Sequence, residues 1–568
     1  MLSVAEPGFL KGDKRSVALI AFLVFVVGFA IRLPGIGWGL PNTLHNQSYH
    51  PDEPLIFDFV HKSTIFHPET QREYYNYGTV FYAVMRVADS VGVIAGGKHP
   101  PASFDEKAVT SSPQAWNDLN SYFGQAVLWG RIAGALLGAA TASIIFLILR
   151  RWISLLGALA GAAVIALSPA HVMHSRFMTV DVTALFFLSL ATLACVRLLR
   201  PELQENKAWW RDVIIAAALA GVAASTRYSN ALMFIPVAIA LCIRRPQGWT
   251  AMLLATPFIA AFAFAITTPG VITDTSYFID NFSYQASHAN SGHGLVFVGR
   301  PSGFLFHIYQ LMIGITAPAT VVGLIGIVYA AIRKHHWAWL LLGFFIPYYL
   351  SIGSVQVMFL RYGFPLYIGV ACGFGYAISA IQRRMNNQWA AAGLAALCLL
   401  GIENGQSGAR GVALFTKWMT ETDPRDEAGA YIADQCKQIP NLDIGVLGTS
   451  PWFWSAAVMK DADYAMYKTP EVQAQILAAT RNPHVVSFTS GDTPLFATYS
   501  SYEVEDAIRL KDNLDLDIQS LSDAHIGNEQ VRILNERYST VATFGGGGPT
   551  IHDLEYIRPT IWVMKRKS

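Results

Sequence analysis

The chain has 568 residues, 53% of them hydrophobic and only 14% charged, with 14 Trp, 33 Phe, 23 Tyr and a mean hydropathy of +0.35. Soluble domains average about 25% charged residues, so a string of soluble domains is excluded, and the same apolar content excludes disorder. A formal net charge of +2, with no basic stripe interleaved with aromatics, excludes nucleic acid as a partner, and the chain reads as an integral membrane protein.

The first apolar run, Val17 to Ile31, follows Lys11, Lys14 and Arg15. It ends in Ile31-Arg32-Leu33-Pro34 without a small-x-small cleavage site, so it reads as a retained anchor rather than a signal peptide. Further apolar runs cover 126–149, 152–168, 180–199, 213–226, 230–243, 250–267, 305–332, 337–352, 364–381 and 388–402. One crossing takes roughly 20 residues and shorter ones can thin the bilayer, so about eleven spans are expected. The stretch 213–243 also reads as one long helix broken near Thr226.

Orientation follows from lysine and arginine. Arg150/Arg151, Arg197/Arg200/Lys207/Arg211, Arg244/Arg245, Arg333/Lys334 and Arg383/Arg384 fall in alternate short loops on the side of the N-terminus. The positive-inside rule makes that side cytoplasmic. A multi-pass protein of the plasma (inner) membrane is therefore expected, with its N-terminus in the cytoplasm. A long loop 33–124, a second loop 269–304 and the tail from 403 fall outside.

The tail is different material. Short strands (Ile444–Leu447, Val485–Phe488, Ile561–Met564) alternate with helix-like stretches such as Pro470–Thr480 and Glu503–Asn513, a pattern for a small α/β domain. Residues 1–402 then form a polytopic α-helical membrane domain and 403–568 an extracytoplasmic α/β domain. Gly545–Gly548 reads as a flexible turn, since no Lys-Ser/Thr and no helix start follow it. Of five cysteines, Cys195, Cys242, Cys372 and Cys398 lie in apolar runs and Cys436 elsewhere; no CxxC or Cys/His ligand spacing indicates a disulfide framework or a zinc site.

Four features can carry chemistry. The outer loop opens with Ser48-Tyr49-His50-Pro51-Asp52-Glu53-Pro54, two adjacent carboxylates between prolines that stiffen the backbone. One carboxylate can take a proton while its neighbour orients a substrate or ion; the plainer reading is a solvated acidic turn. Next, Tyr74–Tyr82 is an aromatic stretch suited to an interfacial helix on the outer leaflet, either a belt or a binding face. Third, the turn from Ser168 through His171, His174 and Arg176 leads to Asp181 at the head of an apolar helix. An ionisable residue there is a functional candidate, and it also serves as an N-terminal helix carboxylate. Fourth, Arg227-Tyr228, Arg361-Tyr362, Arg300 and the pair His288/His293 fall on the outer side. Arginine donates two parallel hydrogen bonds to phosphate, although a single such residue is more often a snorkelling anchor.

With these residues in order, the chain resembles the GT-C membrane glycosyltransferases, specifically the phospholipid-carrier-dependent group that includes protein O-mannosyltransferases and lipid A aminoarabinose transferase. The matching elements are Asp52-Glu53 after the first span, Tyr77-Gly78, Ser168-Pro169 with Arg176 and Asp181, Arg361-Tyr362-Gly363-Phe364-Pro365 and the outer tail. The likeness covers about 1–400; the tail matches in placement and in Asp423-Pro424-Arg425…Ala428. It implies transfer of a sugar from a polyprenyl-phosphate donor to an extracytoplasmic acceptor, which is left open as a lipid, a polysaccharide or a protein. Carried over by motif, Asp52 is the catalytic carboxylate, Glu53 its neighbour and Asp181 the second acid, while Arg361 and Arg227 hold the carrier phosphate. His50, Tyr77, Arg176, Tyr228, His293 and Tyr362 join the substrate-binding set. Aminoarabinose enzymes carry Glu-Lys-Pro where this chain has Asn76-Tyr77-Gly78, so neither that specificity nor a metal held by that acid is carried over. His293 stays open as a ligand for a divalent metal or a phosphate donor, and no cofactor or metal site is assigned.

A transporter or flippase of lipid-linked sugars is the alternative. Transporters show internal repeats and ionisable residues near the midplane. Here no repeat relates the halves, and the acidic residues gather at the outer ends.

Overall fold

A computed structural model of the chain describes residues 13–42, 45, 48–63, 74–102, 104, 113–200, 209–291, 297, 300–439, 443–446, 484–487, 494–500, 536–551 and 553–567. Its first helices are α1 (Lys14–Arg32), α2 (Asp52–Lys62), α3 (Thr79–Ile94), α4 (Pro113–Leu149), α5 (Leu155–Ala166), α6 (Pro169–His174) and α7 (Val180–Arg197). There follow α8 (Trp209–Ala224), α9 (Phe234–Arg244), α10 (Trp249–Thr267), α11 (Gly270–Thr273), α12 (Thr275–Ser291), α13 (Gly303–Gly314) and α14 (Ala317–Ile332). The last are α15 (His336–Gly353), α16 (Phe364–Met385), α17 (Gln388–Leu400), α18 (Gly408–Thr420) and α19 (Pro424–Gln438). Every apolar run of the sequence is helical.

Among the described residues five helices are long and apolar enough to cross a membrane: Lys14–Arg32, Gln114–Leu149, Val180–Arg197, Trp249–Thr267 and Leu360–Met385. The pair α13 and α14 passes that test jointly but bends by 116° at the break between them. Of the other runs, 337–352 lies in the 18-residue α15, and the rest make shorter helices, with the backbone interrupted for example at 225–233 between α8 and α9. Such pieces suit a bilayer thinned around them or a span completed by a neighbouring segment.

Two helices show which surface faces hydrocarbon. On α1 only Ala21, Gly28 and Arg32 are buried, while Leu19, Phe22, Leu23 and Val27 point outward; on α10 Leu254, Phe258, Phe262 and Ile266 do the same. Exposed apolar rows of this size are a liability in water and an asset in lipid. Inside, α16 is buried along most of its length and lies against α5 and α14, with small residues of all three at the contact. Small side chains let helix backbones approach closely, the usual source of packing energy where lipid replaces water.

Among the described residues five strands form one sheet in the order β2-β1-β3-β5-β4, with β1 (Asp443–Val446), β2 (His484–Ser487), β3 (Phe496–Ser500), β4 (Tyr538–Phe544) and β5 (Ile561–Arg566). β1 runs parallel to β2 and β3, and β5 antiparallel to β3 and β4. The strand runs read from the sequence lie on β1, β2 and β5; Pro470–Thr480 and Glu503–Asn513 lie outside the described residues. Ala428 and Ile432 of α19 pack on Ile444, Phe496, Ile561 and Val563 to give this sheet its own small core. The hairpin-like return from β4 to β5 does something else. Ile551, Leu554, Tyr556 and Ile557 leave the sheet and enter the large core made by the membrane helices, as do Phe415, Trp418 and Met419 of α18.

Candidate active site

The site lies where interrupted helices end. Pro51 precedes α2, which starts with Asp52 and Glu53 in its first turn, where carboxylates complement free N–H groups and the helix dipole. Asp181 occupies the same position on α7. The loop before α3 docks into the break after α8: Gly78 N–H bonds Thr226 O at 3.4 Å, Val80 N–H bonds Ser225 O at 3.1 Å, and Tyr228 Oη donates to Tyr75 O at 2.6 Å. A side chain at position 78 would collide with the Ser225 backbone, so glycine is required there. This docking closes the break near Thr226 and leaves Arg227 at its mouth.

Two guanidinium groups meet three carboxylates there. Arg361, at the 3-10 turn Leu360–Gly363 before α16, donates from Nη1 to Asp553 Oδ1 at 2.5 Å. Its Nη2 is 3.3 Å from Asp52 Oδ2 and its Nε 3.5 Å from Asp181 Oδ2, with the guanidinium carbon 4.3 Å from the centre of the Phe359 ring. Arg227 Nη1 pairs with Asp181 Oδ1, and its guanidinium lies 4.2 Å over the ring of Tyr362. Asp181 and Asp553 side chains are 3% exposed, whereas Asp52 is 31% exposed. Asp52 is the carboxylate an entering molecule can reach.

Glu53 is spent elsewhere. Arg131 of α4 grips it with two parallel bonds, Nε to Oε1 at 2.8 Å and Nη2 to Oε2 at 2.7 Å, while Met178 N–H donates to Oε1 at 2.9 Å and Ser48 Oγ to Oε2. Arg131 also donates from Nη1 to Ile36 O and Trp38 O. Burial alone works to raise the Glu53 carboxyl, but Arg131 outweighs it and holds the group below the ordinary carboxylate value. His50 lies just before this turn, packed between Phe177 and Tyr556; its Nδ1 accepts from Asp52 N–H at 3.2 Å. Burial pushes His50 below its usual value, so the ring is neutral and can hold the first turn of α2 through that bond.

The other sequence candidates divide. Tyr77 and Tyr362 face the same cluster, and burial pushes the Tyr77 phenol up, keeping it protonated. Tyr228 fastens the 74–78 turn by the bond to Tyr75 O. Arg176 is not brought to Arg361: it donates to Ile31 O at 2.9 Å, Arg32 O at 3.3 Å and Thr416 Oγ1 at 2.8 Å, so it ties the end of α1 to α18. His293 lies outside the described residues. The aromatic stretch is not a lipid belt throughout, since Tyr74 and Tyr75 are buried against Tyr82, Tyr277 and Phe278. Among the described residues no group of three or more His, Cys, Asp or Glu is arranged to hold a metal ion.

Sequence reasoning missed Arg131, His174 and Asp553. His174 lay within a motif already singled out. Asp553 had only the preceding glycine-rich turn as a signal, where Gly545, Gly546 and Gly547 adopt φ of +79°, +104° and +64°.

Residues 120–273, which include Arg131, Asp181 and Arg227, match the family model described as dolichyl-phosphate-mannose-protein mannosyltransferase. Among curated proteins no sequence matches the chain. Of solved structures, the chain is similar to ArnT from Cupriavidus metallidurans bound to undecaprenyl phosphate, at 13% identity over 97% of this chain and 98% of that one, with a TM-score of 0.49. It also aligns with the apo oligosaccharyltransferase of Archaeoglobus fulgidus at 12% identity, 88% and 71% coverage and a TM-score of 0.48. The S. cerevisiae Pmt1-Pmt2 O-mannosyltransferase bound to its sugar donor gives 16%, 51% and 36%, with 0.28. The resemblance to GT-C glycosyltransferases read from the sequence is matched by the family model over residues 120–273.

Proposed function

We propose that the protein is an integral membrane glycosyltransferase that moves a sugar from a polyprenyl-phosphate donor to an extracytoplasmic acceptor, with Asp52 as the base and inversion at the anomeric carbon. The observation that carries this reading is the convergence of Asp52, Asp181, Arg227 and Arg361 at helix ends, with Asp52 the open member. A polyprenyl carrier cannot leave the bilayer, so its phosphate stays at headgroup depth, where span ends meet. The family match over 120–273 supports the same donor class.

Each residue has a task in this scheme. Arg361 takes the carrier phosphate through its fork and stabilises the charge that grows as the sugar–phosphate bond breaks. Asp52 accepts the proton of the acceptor hydroxyl, a poor nucleophile until it is deprotonated. Asp181, clamped by Arg227, keeps Arg361 aligned. One base facing the sugar opposite its departing phosphate gives direct displacement, with no covalent glycosyl-enzyme needed. The Lys/Arg asymmetry of the short loops, which favours a cytoplasmic N-terminus and an outer tail, supports a cluster at the outer leaflet.

The test uses purified full-length protein with a polyprenyl-phosphate sugar and candidate acceptors drawn from lipids, polysaccharides and peptides, the anomeric centre of the product being read by NMR. The expected product is inverted, and Asp52→Asn is expected to lower turnover by at least about 10²-fold. A retained configuration, or near wild-type turnover in Asp52→Asn, overturns the mechanism.

A further inference from the structure

Asp553 lies 192 residues after Arg361, outside every motif of the helical part, yet it makes the shortest of Arg361's three carboxylate contacts. Its delivery is built into the fold. Gly545–Gly547 turn the chain out of β4, and Ile551, Leu554 and Ile557 anchor the return in the membrane core with no side-chain exposure. Asp553 itself adopts φ of +78°, a left-handed conformation that Gly, Asn and Asp enter more readily than other residues. Only one of its carboxyl oxygens is engaged. Oδ1 accepts from Arg361; Oδ2 is buried without a hydrogen bond, 3.7 Å from His174 Nε2, which is also unbonded.

We propose that Asp553 is a donor-site residue, whose carboxyl group binds the carrier phosphate in its protonated form by donating its O–H to one phosphate oxygen while Arg361 serves another. This rests on the reading that Arg361 holds that phosphate. Charge decides the protonation state. Asp52, Asp181 and Asp553 ionised together outnumber Arg227 and Arg361, and a further anion cannot share Arg361 with a charged Asp553. A neutral Asp553 balances the cluster and gives its idle oxygen a proton to offer.

The groups facing it agree. They are Arg361 and Tyr362 from the turn before α16, Asp52 of α2, Asp181 of α7 with Arg227 behind it, His174 of α6, and Tyr556; beyond them His50 and His171 act on His174, and Glu53 acts on Tyr556. Burial, opposed by Arg361 and reinforced by Asp181 and Asp52, pushes the Asp553 carboxyl up to about 8. His174 is held neutral by burial and by Arg361, and Glu53 stays ionised on Arg131. Asp553 is thus the group whose charge changes just above neutrality, and donor binding should weaken as pH rises through that value.

The experiment measures binding of undecaprenyl methyl phosphate, a phosphodiester of constant single charge, to the purified full-length protein in nanodiscs between about pH 6.5 and 9.5. Wild type should lose about tenfold or more in affinity across that range. Asp553→Asn, which keeps a donor and tolerates positive φ, should bind within about threefold of wild type at the low end and show no pH dependence. Asp553→Gly, which suits the backbone and removes the group, should bind about tenfold more weakly than wild type at low pH. Tighter binding by Asp553→Gly at every pH would mean that the carboxylate merely competes with phosphate, and overturns the proposal. So does a wild-type profile retained in Asp553→Asn. Arg361→Ala separates the two levels: if wild type binds the lipid and Arg361→Ala does so equally well, the donor-site reading itself has failed.

Discussion

Asp52 and Glu53 are neighbours in sequence and opposites in environment. Glu53 has a fully buried side chain, two bonds to Arg131 and further donors from Met178 and Ser48. Asp52 is partly exposed and touches one arginine that two other carboxylates share. A saturated carboxylate can hold a structure but has no lone pair left for a substrate; an under-committed one can take a proton. In the proposed mechanism the dipeptide joins both tasks within the first turn of α2.

Substitutions should pull the two apart. The largest effect is expected from Glu53→Ala, which leaves Arg131 buried and uncompensated; breaking such a pair costs about 3–5 kcal/mol. The apparent Tm of the detergent-solubilised protein should fall steeply, and an unchanged melt would show that Arg131 finds other partners. Second is the at least about 10²-fold loss of turnover in Asp52→Asn, with the melting curve of wild type, since its carboxylate anchors little. Third, Arg361→Lys keeps the charge but loses the fork, so donor KM should rise by about tenfold. Equal KM in wild type and Arg361→Lys would reduce Arg361 to a point charge. Smallest is Ser48→Ala, which removes one donor to Glu53 and should cost about 1 kcal/mol of stability with little change in turnover.

Acid sharpens the same contrast. The folded Glu53 carboxyl lies below its unfolded value because of Arg131, so its stabilising contribution is complete above the unfolded value and disappears as pH falls through the folded one. Thermal melts from neutral to acid pH should show this decline in wild type. It should be much reduced in a Glu53→Met/Arg131→Leu double variant, where both charges are gone.

The helical runs were legible because a chain in lipid must satisfy its own backbone and present apolar side chains outward, and both demands are written locally. Asp52, Asp181, Arg227 and Arg361 were visible for a related reason: charge at the end of an apolar run stands out. Glu53 looked equivalent to Asp52, because the arginine that separates them lies 78 residues away within an apolar helix. Arg176 looked like a ligand group and proved to be a tie between helix ends, since the carbonyls of Ile31 and Arg32 cannot be foreseen as its partners. Asp553 sits in a tail whose local pattern is that of a small sheet, and nothing nearby indicates that its loop returns to the helices.

That return also sets a schedule for biosynthesis. Translation proceeds at about 5–20 residues per second, so the 192 residues between Arg361 and Asp553 take roughly 10 to 40 seconds to make. Throughout that interval the nascent protein has Asp52, Asp181, Arg227 and Arg361 but lacks their last companion. The ribosome therefore finishes the helical part well before the cluster is complete, and a chain stopped before residue 553 would carry a site in which Arg361 lacks its shortest carboxyl contact.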